Sequence, residues 1–169
     1  MSRKPLQTED RTPLTRLHEA GAHALVGYQI AQAAIVTNQV FDERVGHQRS
    51  GLRRVEFTIL ALVRGNRDVT ARQLARALAV TPPNIAIWLD KLESRGLIER
   101  ERSSSDARMQ HVRLTARGTT LVERSVQVLL EGEREALHAL SSAERAMLVE
   151  LLHKVALSRR KPETASTRD

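Results

Sequence analysis

A mainly α-helical fold with a small β-wing, arranged as a winged helix-turn-helix lobe and an α-helical dimerisation lobe, is predicted by three features of this 169-residue sequence. Apolar residues recur at three- and four-residue steps through most of the chain, as on amphipathic helices. Two short helical segments with clear start signals are separated by a tight turn. A strand, a polar loop and a second strand come directly after them.

Residues 1–13 are polar with two prolines and read as an arm, and residues 158–169 read as a tail. From 14 to 47 a proline-free pattern predicts one long helix, carrying Leu17, Gly21, Ala24, Leu25, Tyr28, Ala31, Ile35 and Phe41. Such a helix has to bury its stripe against something large, and a second subunit is one candidate. The segment 52–115 forms the next unit. Its first helix spans Leu52 to Val63, with Val55, Ile59, Leu60 and Val63 facing inward and Gly65 and Asn66 at its end.

Thr70-Ala-Arg-Gln73 is a capping box that opens a helix holding Leu74 and Leu78. After Ala79-Val80, Thr81 is placed as the N-cap of a helix running to Ser94. Pro82 and Pro83 are tolerated in its first turn because those amides lack helical partners. Gly96 stops it. Residues 97–102 and 110–114 are the strands of a hairpin. Residues 116–157 then hold two helices, the first from Ala116 to about Leu140 and the second started by the capping box Ser141-Ser-Ala-Glu144.

Composition bounds the chemistry. Hydrophobic residues make up 41% and aromatics 2%, so the core is built from Leu, Val, Ile and Ala. The absence of cysteine excludes disulfides, thiolate zinc sites and thiol redox sensing. Of the six histidines, His18 and His23 come nearest to a metal motif, but a five-residue spacing puts them about 140° apart on a helix. No metal and no cofactor are expected. There is no glycine-rich phosphate loop with lysine, no Gly-x-Ser-x-Gly elbow and no His/Asp/Glu cluster, so an enzyme is not expected either. No apolar run approaches the roughly 20 residues of a membrane span, and a soluble, cytoplasmic protein is the expectation.

The net charge of +7 suits a polyanionic partner. Between Arg53 and Arg113 there are twelve basic and seven acidic residues, which concentrates the excess on the helix-turn-helix segment. In such a unit the second helix fits the major groove of double-stranded DNA and its first turn meets base edges. Ile85, Trp88, Leu89 and Leu92 share one face and anchor the helix to the core, with Trp88 read as core rather than as a stacking residue. The opposite face carries Pro83, Asn84, Ile87 and Lys91. Asn84 suits an adenine edge or, equally, a helix cap. Ile87 suits a thymine methyl and Lys91 a phosphate. In the hairpin, Arg100, Arg102 and Arg108 cluster at or near the tip, where guanidinium groups can enter a minor groove. Asp106 can hold one of them. Thr70, Arg72, Gln73, Thr81 and Ser104 complete the expected DNA-contacting set.

The strings VEFTILALV, TARQLARALAVTPPNIAIWLDKLESRGLIERERS and DARMQHVRLTARG resemble the MarR family of bacterial winged-helix regulators. The resemblance extends over roughly residues 14–157. It implies a homodimer built from the first and the last two helices, with two recognition helices reading a pseudo-palindrome and repression as the commoner mode. On the motif positions, Arg108 would be the minor-groove arginine and Asp106 its orienting partner. Ile87 departs from the polar or basic residue often found there, so no operator sequence carries over. The resemblance also implies a small-molecule effector such as an aromatic acid, a phenolic or an acyl-CoA thioester. Tyr28, Phe57, Arg53 and Arg54 are the candidates to line its cleft, although Tyr28 and Phe57 read more readily as plain core residues.

Overall fold

The computed structural model describes residues 11–46, 50–102 and 110–159. Helix α1 spans Val26–Arg44, α2 Arg54–Arg64, α3 Ala71–Leu78, α4 Pro82–Ser94, α5 Ala116–Ala136 and α6 Ser142–Leu157. Strands β1 (Val69–Thr70), β2 (Ile98–Arg102) and β3 (Gln110–Leu114) form one antiparallel sheet in the order β1-β3-β2. The sequence predicts only the last two strands. A two-residue strand has no periodicity to read, and β1 exists because Val69 and Thr70 pair with Val112 and His111.

The first helix is shorter than the 14–47 expected. Before Val26 the chain forms a 3-10 turn at Ala20–Ala24, and Leu25 is extended at φ −85°, ψ 118°. Local side chains satisfy the backbone there in non-helical ways. The Leu17 amide donates to Thr12 Oγ1 at 3.0 Å and the Ala20 amide to His18 Nδ1 at 3.0 Å. Leu14 is 95% and Leu17 65% exposed, so within one chain their apolar spacing meets nothing that rewards a helix.

The core lies where α2, α3, α4, the sheet and α5 meet. Ile59, Leu60, Leu74, Ile85, Leu89, Leu92, Leu97, Ile98, Val112 and Val122 are all buried in it. Val55 is only half-buried; the fourth fully buried position of α2 is Glu56. Helix α1 joins through Phe41, whose ring centroid is 5.7 Å from that of Phe57, and through its crossing with α5 at Gly132. Helix α6 buries no residue. At its end Arg159 Nη1 donates to the Ala77 carbonyl at 2.7 Å, so this residue of the expected tail meets the last turn of α3.

Capping explains why the short helices hold. Gln73 Oε1 accepts from the Thr70 amide at 2.8 Å while the Gln73 amide donates to Thr70 Oγ1 at 3.3 Å, as the capping box predicts. Ser141 and Glu144 repeat this at α6, and the Ser141 hydroxyl and amide hold the Glu144 carboxyl below its ordinary pKa. Ala79, at φ 53°, ends α3 in the left-handed region, which turns the chain into α4 within three residues.

Candidate nucleic-acid interface

Helix α4 is held from one side. Ile85, Leu89 and Leu92 are buried, and the half-buried Trp88 packs against the core, which accords with its core reading. Thr81, Pro83, Asn84 and Ile87 are exposed, and Ile87 is uncovered to 63%. Thr81 occupies the N-cap position, but its hydroxyl makes no capping bond. Pro83, at the second helical position, has removed one of the two amides such a cap would serve. Asn84 makes no side-chain hydrogen bond among the described residues, so its amide group is not spent on a cap.

Beside this face, α3 presents Arg72 and, one turn on, Arg76. Both are exposed, and neither has an ion pair or side-chain hydrogen bond among the described residues. Arg76 escaped the sequence reading, although its four-residue spacing from Arg72 was the available signal. Thr70 and Gln73, by contrast, commit the threonine hydroxyl and the glutamine oxygen to the cap.

Two expected contacts are redirected. Lys91, expected as a phosphate ligand, has a protein partner: its Nζ lies 2.9 Å from Oε1 of the fully buried Glu56, while its side chain stays part-exposed. A buried carboxylate attracts a nearby ammonium more strongly than water-screened phosphate can from outside. Arg100 does not lie near the wing tip. It sits mid-strand opposite Val112, with Nη2 on Asp90 and Nε 3.5 Å from Glu93, both on α4. It fastens the sheet to the recognition helix. Arg102 is exposed at the end of β2, opposite Gln110. Ser104, Asp106 and Arg108 lie outside the described residues.

Glu56 is the residue whose environment the sequence did not announce. Burial raises its pKa, but the Arg53 amide at 3.0 Å, the Lys91 ammonium and the Arg95 guanidinium at 3.1 Å overcome that and hold it below the ordinary carboxylate range.

Of the expected effector residues, Arg53, Arg54 and Phe57 share the start of α2, and Tyr28 lies apart from them. Tyr28 donates to Glu19 Oε1 at 3.2 Å, at the start of α1, and burial together with this carboxylate raises its pKa. Phe57 packs on Phe41, thirteen residues further along that helix, which is roughly 20 Å at 1.5 Å per residue. Arg54 forks onto Asp42 at 2.8 and 2.9 Å, and Arg53 occupies the N-cap of α2. An open hollow of about 340 Å³ lies instead between the end of α2, β3 and the start of α5, lined by residues including Val63, Arg67, Val112, Leu114 and Thr119. No group of three metal-binding side chains occurs among the described residues, and no described helix is long and apolar enough to cross a membrane.

The MarR family model matches residues 52–109, the segment running from the start of α2 into the wing. Solved structures agree over more of the chain. The transcriptional repressor CouR, bound to a 23-mer DNA duplex, is 28% identical, with a TM-score of 0.73 over 83% of this chain and 98% of that one. A probable transcriptional regulator from Pseudomonas aeruginosa is 26% identical, with a TM-score of 0.68 over 79% of this chain and 98% of its own. A cysteine-to-serine mutant of MarR from E. coli, complexed with operator DNA, is 26% identical, with a TM-score of 0.65 over 76% of this chain and 91% of that one. Residues 52–109 therefore match the MarR family model, and the chain shares its fold over about four-fifths of its length with winged-helix transcriptional regulators of that kind.

Proposed function

We propose that this protein is a homodimeric, sequence-specific DNA-binding repressor, acting in the cytoplasm on a pseudo-palindromic operator and released by a small-molecule effector. The observation that carries the reading is the uncovered first half of α4, where Asn84 and Ile87 are presented to solvent by a helix whose other face is locked in the core. Asn84 offers a donor–acceptor pair to an adenine edge and Ile87 an apolar contact to a thymine methyl. Arg72 and Arg76 supply phosphate contacts, and Arg102 and Arg108 serve the wing. The related CouR and MarR structures contain duplex DNA, which supports the same docking here.

The dimer rests on a second observation. Met147, Val149, Leu151, Val155 and Leu157 of α6 and Leu14, Leu17, Leu25 and Val26 before and at the start of α1 are each at least half exposed. That much open apolar surface at the chain's two ends needs a cover, and a two-fold partner supplies it while setting two recognition helices about one DNA turn apart. The effector is expected at the junction of the two lobes, with aromatic acids, phenolics and acyl-CoA thioesters as first candidates.

Fluorescence anisotropy with a duplex from the protein's own promoter tests the DNA reading. Binding there that weakens steeply with salt and exceeds binding to random duplex is expected. Equal affinity for both sequences refutes sequence-specific regulation. Light scattering should return twice the chain mass at micromolar concentration, and a monomer would refute the dimer.

A further inference from the structure

We infer that Glu56 is a positioning residue for DNA recognition: this buried carboxylate captures both cations of the recognition helix, fixing how α4 is presented and leaving phosphate binding to other elements. The inference rests on the DNA-binding reading above and deepens it.

Helix α4 and its C-cap contain two basic residues, Lys91 and Arg95, and both end on Glu56. Glu56 has no exposed surface. Its Oε1 faces Lys91 Nζ and aligns with no hydrogen-bond donor among the described residues, and its Oε2 takes Arg95 Nη1 and the Arg53 amide. Arg95 does more than pair. Nη1 donates also to the Gly51 carbonyl at 3.2 Å, and Nη2 donates to the Ser50 carbonyl at 3.0 Å. Ser50 Oγ in turn donates to the carbonyl of Val45, the C-cap of α1. One continuous polar chain thus runs from the end of α1, through the connection to α2, to the last turns of α4.

The consequence is a division of labour. A lysine in the third turn of a groove-binding helix is normally free to reach the DNA backbone, but here leaving Glu56 would strip the buried Oε1 of its counter-charge, with only Oε2 still paired to Arg95. Helix α4 therefore meets the duplex with Asn84 and Ile87 and no basic side chain of its own. Positive charge comes from α3, which holds Arg72 and Arg76 beside it. What Glu56 governs is the angle of the reading face, and so the discrimination between sequences more than the attraction to DNA.

Binding of Glu56→Gln and Lys91→Gln to promoter and random duplexes, measured across a salt series, tests this on the full-length protein, with circular dichroism confirming the fold. For Glu56→Gln the preference for the promoter duplex should fall about tenfold while binding to random duplex stays within about twofold. For Lys91→Gln the slope of log affinity against log salt should match wild type. A lysine bound to phosphate would instead make that slope shallower by about 0.9 for each phosphate it no longer neutralises. A shallower slope for Lys91→Gln, or undiminished discrimination by a folded Glu56→Gln, overturns the inference. If Glu56→Gln does not fold, the Lys91→Gln slope alone decides. A wild-type protein that itself fails to prefer the promoter duplex would defeat the DNA-binding reading, which is a separate result.

Discussion

Replacing Gly118 by alanine sets two physical effects against each other, and the structure decides the sign. Gly118 lies in the first turn of α5, where the Thr115 hydroxyl accepts its amide at 3.0 Å. By helix propensity alone, alanine should stabilise such a position by about 1 kcal/mol. A Cβ built there, however, would sit 1.9 Å from the Leu97 carbonyl oxygen and 2.9 Å from its carbon. An ordinary carbon–oxygen contact is about 3.3 Å or more, so α5 would have to retreat by roughly 1.4 Å. Both groups belong to the backbone, and no rotamer change relieves the overlap.

The retreat endangers the hydrogen bonds that seat α5 on the end of α4, from the Thr115 amide to the Leu97 carbonyl at 3.2 Å and from Thr115 Oγ1 to the Gly96 carbonyl at 2.8 Å. Each contributes about 1 kcal/mol, and overpacking of this kind costs about 1–3 kcal/mol. Net of propensity, Gly118→Ala should destabilise by about 2 kcal/mol, which for a chain of this length lowers Tm by roughly 4–8 °C. Thermal and urea unfolding followed by circular dichroism would read this, at one fixed protein concentration because association shifts Tm. A variant as stable as wild type, or more so, would refute the claim that close approach to Leu97 is what this glycine serves.

Gly132→Ala should be milder than Gly118→Ala, because its Cβ would meet the side chains of Val40 at 2.7 Å and Arg44 at 3.2 Å, which can move; equal losses in the same unfolding assay would contradict this. Acid should weaken the fold through Glu56. Its folded pKa is lowered, so its stabilisation is complete above the unfolded value of about 4.3 and is lost as pH falls through the folded value. Urea titrations between neutral pH and pH 3 should show wild type losing more stability than Glu56→Gln, whereas parallel curves would refute the contribution. Arg72→Ala and Arg76→Ala should each weaken binding to promoter and random duplexes alike and make the salt slope shallower by about 0.9 for each phosphate left unneutralised; unchanged slopes would remove these residues from the interface. Ile87→Ala should reduce the preference for the promoter duplex by about 1 kcal/mol or more if it meets a thymine methyl, and unaltered discrimination would argue that the side chain stands clear of the bases.

Local signals were strong enough in this sequence to announce the helix-turn-helix. The capping boxes at Thr70 and Ser141, the short turn at Ala79-Val80, the proline pair at the start of α4 and the apolar face of Ile85, Leu89 and Leu92 are all short-range chemistry, and each appears where the spacing placed it. The long-range partners were not legible. Lys91 and Arg100 looked like free cations because a sequence does not display the carboxylate across the core or on the next element; folding brought Glu56 to one and Asp90 and Glu93 to the other. Strand β1 arose from pairing with β3, and the segment from Leu14 to Leu25 stayed out of α1 because its apolar residues find no partner within one chain. Spacing along the chain reports which face a side chain occupies, while the three-dimensional arrangement alone decides what stands opposite that face, and a charge follows its strongest neighbour.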